Sequence, residues 1–460
     1  MATTRVGTVM ASAVALVISA LALVVGAKAQ EWGAPVWSDE FNSSVKGAPP
    51  DASKWTFDVG GSGWGNHELE VYCAAGAAMP APCDATNPNA FQDGEGHLII
   101  RAVRVSDEPA PAGTWTSARM KTLGLKDFQY GRMESCMKLP VGAGLWPAFW
   151  MLGTVGKWPD GGEIDIMENI PQLQGGDGGL GPTKVESTIH GPSSSAKGLF
   201  SLTQIHSLTE GQRVDATKPA CHAYGAIWSP FMIEVYVDDW RKPFYIRTAA
   251  DVPPEGRWVF NAAFYFLMNL AVGGDWPGPP DKSTPSPADV VVDYVRVYQA
   301  AAVAGPKLSA TPVKINAGGV GETVLQVSAA MGSGLMYLSC TTESADYVCS
   351  VDSGNALNHS VVDFRTQATQ TAKITLKRAP GHESKDVAYP GIRVTAYTVS
   401  GGESSIAIPI EGRLYSAAGR GERVQEVGDD FVEMVGIVHE ESVGGVFEHF
   451  HAGGGDSGLE

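Results

Sequence analysis

Trp158-Pro-Asp-Gly-Gly-Glu-Ile-Asp-Ile-Met-Glu-Asn169 alternates acidic and apolar residues from Glu163 to Ile166. Successive side chains of an extended strand point to opposite faces, so Glu163 and Asp165 share one face while Ile164 and Ile166 turn into a core. Glu168 has the wrong parity for that face. A β-bulge at about Ile166–Met167 absorbs the extra residue and returns Glu168 to the side of Glu163 and Asp165. Three crowded carboxylates repel one another, and no packing requirement puts them there.

The same strand character extends outward. His97-Leu-Ile-Ile-Arg-Ala-Val103, Met133-Glu-Ser-Cys-Met-Lys-Leu139, Ile233-Glu-Val-Tyr-Val237 and Val290-Val-Val-Asp-Tyr-Val-Arg-Val-Tyr298 are alternating or β-branched runs with Gly, Pro and Asp between them. Long helical periodicity is absent. The pattern predicts one large all-β sandwich over about residues 30–300, whose two curved sheets offer a concave face to a ligand.

The whole chain has 460 residues, 44% of them hydrophobic, and a formal net charge of −17. That charge argues against nucleic acid, which is held mainly by Lys and Arg on phosphate. More than half of it lies in residues 421–460, which carry −9, so it says little about the substrate of the folded part. All 12 tryptophans lie between Trp32 and Trp276, which separates the chain after about residue 300 from what precedes it. Gln299-Ala-Ala-Ala-Val-Ala-Gly-Pro306 reads as a short linker at that boundary.

Residues 1–29 read as a signal peptide: Arg5, an apolar run from Val9 to Val25, and a small-x-small site at Ala27-Lys28-Ala29. The expected product is secreted or held at the cell surface or wall, with no membrane association after cleavage; an uncleaved anchor is the other reading of the apolar run. Six cysteines suit an oxidising compartment. Cys73 with Cys83 and Cys340 with Cys349 are expected as local pairs, the latter bracketing a hairpin. Cys136 and Cys221 then pair or stay free.

The carboxylate trio suits retaining glycoside hydrolysis. One carboxylate attacks the anomeric carbon while a second, kept protonated by its neighbours, donates to the leaving oxygen. Taken alone, the motif also reads as a solvated acidic face or a calcium site. Trp146-Pro-Ala-Phe-Trp150, Trp158 and the loop Gly273-Gly-Asp-Trp276 favour sugar, because flat aromatic faces stack on the C–H faces of pyranose rings.

The ordered motifs make a resemblance plain. They are Trp37-Ser-Asp-Glu-Phe41, Gly63-Trp-Gly-Asn66, Thr116-Ser-Ala-Arg119, Tyr130-Gly-Arg132, Gly144-Leu-Trp-Pro-Ala-Phe-Trp-Met-Leu152, Gly162-Glu-Ile-Asp-Ile-Met-Glu168, Ser187-Thr-Ile-His-Gly191, Asn269-Leu-Ala-Val-Gly-Gly-Asp-Trp276 and Val292-Asp-Tyr-Val-Arg-Val-Tyr298. From about Trp37 to Tyr298 the chain resembles the catalytic domain of glycoside hydrolase family 16, and within it the laminarinases, which are endo-β-1,3-glucanases. The resemblance implies a jelly-roll β-sandwich and a retaining mechanism with Glu163 as nucleophile, Glu168 as acid/base and Asp165 assisting. It implies sugar-binding roles for Asn66, Arg119, Trp146, Trp150, Trp158, His190, Asn269 and Trp276. The ligand implied is a β-glucan polysaccharide, with mixed β-1,3/1,4-glucan also accepted, and the expected state is a monomer. Catalysis needs no cofactor. Glu40 and Asp293 sit in the two motifs that would supply a structural calcium site on the convex face, or they are two surface carboxylates.

The chain also departs from the laminarinase pattern. Gly65-Asn-His-Glu-Leu-Glu70 stands where Gly-Asn-Asn-Glu-Leu-Gln is common, and Cys136 and Cys221 replace residues that are usually not cysteine, which suggests a disulfide between neighbouring strands. Residues 307–412 contain short β-rich runs without a tryptophan, an immunoglobulin-like sandwich expected to act as a spacer or surface module. Residues 413–460, acidic and Gly-rich, read as a disordered tail. The alternative to an enzyme is a non-catalytic β-glucan recognition protein on the same scaffold, against which the retained Glu163 and Glu168 speak.

Overall fold

The computed structural model describes residues 32–76, 79–106, 114–170, 180–212, 220–301, 305–315, 320–331, 333–380, 391–398, 400, 403–408 and 410–411. The expected signal peptide and acidic tail lie outside the described residues. Among the described residues everything regular is strand apart from two 3-10 turns, Gly181–Thr183 and Ala249–Asp251. Among the described residues no helix is long and apolar enough to cross a membrane.

The sequence runs quoted above become the strands Leu98–Arg104, Gly131–Lys138, Met232–Val237 and Ala288–Tyr298. In the last of these, Val290 and Val292 are buried, then Val295 and Val297. The change of parity coincides with a register break between Val292 and Tyr294, so a bulge at Asp293 keeps four valines on the core side.

Seventeen strands form two packed sheets, a jelly-roll β-sandwich. The outer sheet has ten strands, with Gly131–Lys138 and Ala288–Tyr298 at its centre. The inner sheet has seven, in the order Leu199–Ser207, Lys184–Pro192, Glu163–Glu168, Leu145–Gly153, Phe264–Val272, Arg119–Lys121 and Thr56–Asp58, all antiparallel. One face of the inner sheet sends Phe149, Met151, Ile164, Met167, Ile189, Phe266 and Met268 into the core. Phe149 stacks on Phe266 at 5.3 Å, so truncating either to Ala costs about 3–5 kcal/mol.

The other face of the inner sheet is a grid fixed by register. One rung runs Asp58, Arg119, Asn269, Ala148, Glu168, Glu186, Ile205. The next runs Thr56, Lys121, Leu267, Trp150, Asp165, Thr188, Thr203, and a third runs Tyr265, Leu152, Glu163, His190, Ser201. The bulge lies where strand parity requires it. Asp165 pairs with Trp150 and Met167 with Phe149, leaving Ile166 as the extra residue. Both Ile166 and Met167 are buried, so the strand returns Glu168 to the face of Glu163 and Asp165 at no cost in apolar burial.

Residues 305–411 form a second β-sandwich with its own core, which includes Leu325, Val327, Met336, Phe364, Ile374 and Val394. The two sandwiches are in direct contact. Ile227, Met232, Tyr236 and Ile246 share a buried cluster with Leu335, Tyr337 and Val361, and Asn358 Nδ2 donates to Asp251 at 2.7 Å. All three disulfides form, including Cys136–Cys221. The expected hairpin at Cys340–Cys349 is corrected: the strands Leu335–Thr342 and Tyr347–Asp352 belong to different sheets, so this link joins the two layers of the module.

Candidate active site

Gly162, at φ +79°, turns the chain into the Glu163–Glu168 strand at a point where a Cβ would lie 2.8 Å from Val259 Cγ2. From there Glu163, Asp165 and Glu168 project onto the grid. Asp165 is 3% exposed; the two glutamates are half-buried. Each glutamate accepts one hydrogen bond from an indole: Trp146 Nε1 donates to Glu168 Oε1 at 3.0 Å, and Trp158 Nε1 donates to Glu163 Oε2. Tryptophan is a donor only, so these contacts orient the carboxyls and leave their protonation to the neighbouring charges.

Burial pushes Asp165 well above the ordinary carboxylate range, reinforced by the charge of Glu163, a hydrogen bond to it, and the charge of Glu186. Burial and the neighbouring carboxyls thus favour the protonated form of Asp165. Burial likewise raises Glu168, followed by the charges of Asp165, Glu163 and Glu186, with the Trp146 hydrogen bond pulling the other way. Asp165 and Glu168 are thus both biased toward their protonated forms, on the same face as Glu163. His190 lies between strands with Nε2 3.3 Å from Asp165 Oδ2 and Nδ1 2.7 Å from Ser201 Oγ.

The remaining expected sugar-binding residues form one connected patch. Trp150 Nε1 donates to Asn269 Oδ1 at 2.7 Å, and Asn269 Nδ2 donates to Tyr72 Oη at 3.1 Å. The Tyr72 hydroxyl donates to Glu68 Oε2 at 3.2 Å, and Asn66 Nδ2 donates to Glu68 Oε1 at 2.9 Å. Every donor in this chain points toward Glu68. Arg119 lies 4.6 Å from the Trp150 ring centroid and 5.1 Å from that of Trp64, and its Nε is 3.0 Å from Asp58 Oδ2. Trp276 packs edge-on against Trp146 at 5.2 Å. Trp158, 54% exposed, is the aromatic ring most open to solvent in the group.

Asn269 is thus a brace for Trp150 and Tyr72, with both ends of its amide engaged inside the protein. The loop carrying Asn66 is tied to the loop carrying Trp276: Asp275 N–H donates to Asn66 O at 2.8 Å, and His67 Nδ1 is 2.9 Å from Asp275 Oδ2.

Glu40 and Asp293 do not join this site. The Glu40 carboxylate is held by the Arg296 guanidinium through bonds of 2.9 and 2.6 Å, which lowers its pKa. A cation at Glu40 would meet that guanidinium. Asp293 instead borders a surface cavity of about 230 Å³ with His97, Lys138 and Cys221. These side chains do not fit a metal shared by the two carboxylates.

Two contributors were not foreseen from the chain. Glu186 stands directly across the ladder from Glu168, on the same face. Its signal was the alternation Glu186, Thr188, His190 in Val185-Glu-Ser-Thr-Ile-His190, which has the same parity as the catalytic strand. Tyr72 was passed over because nothing local links it to Asn269.

Residues 83–296 match the family description "Glycosyl hydrolases family 16". The chain is 39% identical over 283 residues to the β-glucanase of Rhodothermus marinus, covering 59% of this chain and 87% of that protein. It is 34% identical over 290 residues to glucan endo-1,3-β-glucosidase A1 of Niallia circulans, covering 57% of this chain and 37% of that longer protein. Among solved structures, the endo-β-1,3-glucanase of Pyrococcus furiosus is 36% identical, with a TM-score of 0.48, over 60% of this chain and 98% of that one.

Proposed function

Because this chain belongs to glycosyl hydrolases family 16 and is a glycoside hydrolase acting on O-glycosyl bonds of β-glucan, we propose that it is a retaining endo-hydrolase of β-1,3-glucan, accepting mixed β-1,3/1,4-glucan as well. The observation that carries this reading is the bulged strand, which brings Glu163, Asp165 and Glu168 to one face with an indole donor on each glutamate.

In the proposed first step Glu168 gives its proton to the glycosidic oxygen as the C1–O bond breaks, and a Glu163 oxygen bonds to C1. Asp165, neutral before attack, stabilises Glu163 through the shared proton and orients it. In the second step the Glu168 carboxylate takes a proton from water, the water oxygen bonds to C1, and Glu163 is released. One water is consumed per bond cleaved, and the β-configuration is restored. The aromatic patch of Trp150, Trp64 and Arg119 on one side, and Trp146 with Trp276 on the other, supplies faces for pyranose rings. The leader-like residues 1–29 support an exported enzyme working on external polysaccharide.

Incubation with laminarin, lichenan and agarose, followed by measurement of reducing ends, tests the reading. Release from laminarin and little from agarose is expected. No release from laminarin by wild type, or undiminished release by Glu163→Gln, would sink it.

A further inference from the structure

Glu186 has no role in the mechanism just given, yet it occupies the place on the inner sheet directly opposite Glu168. Opposed residues in an antiparallel pair have Cβ atoms roughly 4.5–5.5 Å apart, and like charges there are destabilising. A strand shaped only for stability would not put Glu against Glu. The side chain is half-buried, on the same face of its strand as Thr188 and His190, both of which lower its pKa against the burial that raises it.

We propose that Glu186 is a positioning residue for the acid/base: its carboxylate keeps the proton on Glu168 and so extends hydrolysis toward alkaline pH. The inference rests on Glu168 being the acid/base, as proposed above.

The groups facing Glu168 are few. Its own strand contributes Glu163 and Asp165, and the neighbouring strand Lys184–Pro192 contributes Glu186 and His190. The strand on the other side, Leu145–Gly153, places Ala148 opposite and Trp146 as donor, neither of them charged. Glu186 also adds its repulsion to Asp165. Its own pKa is raised by burial but drawn back by Thr188 and His190, whereas Glu168 is raised well above its ordinary value. Glu186 therefore ionises more readily than Glu168, and over the pH range where Glu168 is still the proton donor its charge adds to that of the carboxyls on the Glu163–Glu168 strand in disfavouring loss of that proton.

The sign follows. Replacing Glu186 by Gln removes a negative charge beside Glu168, eases its ionisation and moves the alkaline limb of kcat/KM on laminarin to lower pH, by about one unit for a charge at this separation in a partly solvated site. Glu186→Asp keeps the charge and retains most of the wild-type limb. Raising salt to 1 M pulls the wild-type limb toward that of Glu186→Gln, because a half-exposed charge is screened. The limb is expected to disappear in Glu168→Gln. If it persists there, the acid/base assignment itself fails; if it disappears there but does not move in a folded Glu186→Gln, only the present inference is overturned. A 13C NMR titration of the Glu168 carboxyl, assigned by its absence in Glu168→Gln, reads the same shift without turnover. An unmoved titration in Glu186→Gln overturns the inference even if laminarin is not the substrate.

Discussion

Two groups of carboxyls lie in the inner half of this enzyme, and they differ in what surrounds them. In the Glu163–Glu168 strand, Asp165 is buried with its pKa pushed well up by that burial and by Glu163, and each glutamate takes one indole hydrogen bond. In the segment leading into Glu70–Tyr72, Glu70 is 0% exposed, with burial and the charge of Glu68 pushing its pKa well up. The pairs are chemically alike: in each, burial and a neighbouring carboxyl raise the pKa of one acid, Asp165 or Glu70. Glu68 is spent on Asn66 and Tyr72, however, and Glu70 accepts the Val272 N–H at 2.7 Å. The first group keeps oxygens facing the grid where substrate would lie, and the second is closed inside the protein. Reactivity thus follows from which valences stay open, since both groups have shifted protons.

That contrast makes an ordered set of predictions. Glu163→Gln should reduce laminarin hydrolysis by about 10⁴-fold or more while the protein stays folded, whereas Glu68→Gln should cost about tenfold and act mainly on KM. Equal losses in kcat would break the comparison. Glu168→Gln should lose about 10²–10⁴-fold, with a rate that no longer falls at alkaline pH, because the group whose deprotonation ends activity is gone. Initial rates from pH 4 to 10 would check this.

Smaller effects separate support from chemistry. Asn269→Ala leaves the Trp150 indole and the Tyr72 hydroxyl without their partner, and Tyr72 is fully buried. A loss of about 1–3 kcal/mol in denaturant unfolding is expected, with a weaker KM. Glu70→Gln should change turnover least; its effect is on stability and depends on pH. Glu70 is neutral in the fold and ionises near its ordinary value of 4.5 when unfolded. Its contribution is complete below that value and lost as pH rises toward the elevated folded value, at about 1.4 kcal/mol per pH unit. The variant should match wild type near pH 4 and be progressively more stable above it; parallel stability curves would show that Glu70 is not held neutral.

Most of the site was legible because its logic is local. The parity of Glu163, Asp165 and Glu168 forces a bulge within one six-residue strand, and the tryptophans of Leu145–Gly153 alternate onto the same face. What escaped depends on pairing across long separations. Val185-Glu-Ser-Thr-Ile-His190 reads as an ordinary half-buried strand until its register against Glu163–Glu168 is known, so Glu186 had no visible partner. The motif of Asn269 gave no sign of its bond to Tyr72, 197 positions away. The ion pair of Glu40 with Arg296 was hidden in the same way, since only the pairing of Ser38 with Arg296 brings the two together. The two cysteines bracketing Ser344-Ala-Asp346 suggested a hairpin because a short loop says nothing about which sheet each flank joins.

The central claim is that Glu163 attacks C1 while Glu168 donates, so that two inversions restore the starting configuration. Following the anomeric protons by 1H NMR in the first minutes after enzyme is added to laminarin tests it most directly. The β-anomer of the new reducing end should appear first, with the α-anomer growing in only at the rate of mutarotation; an α-anomer that appears first would contradict the account.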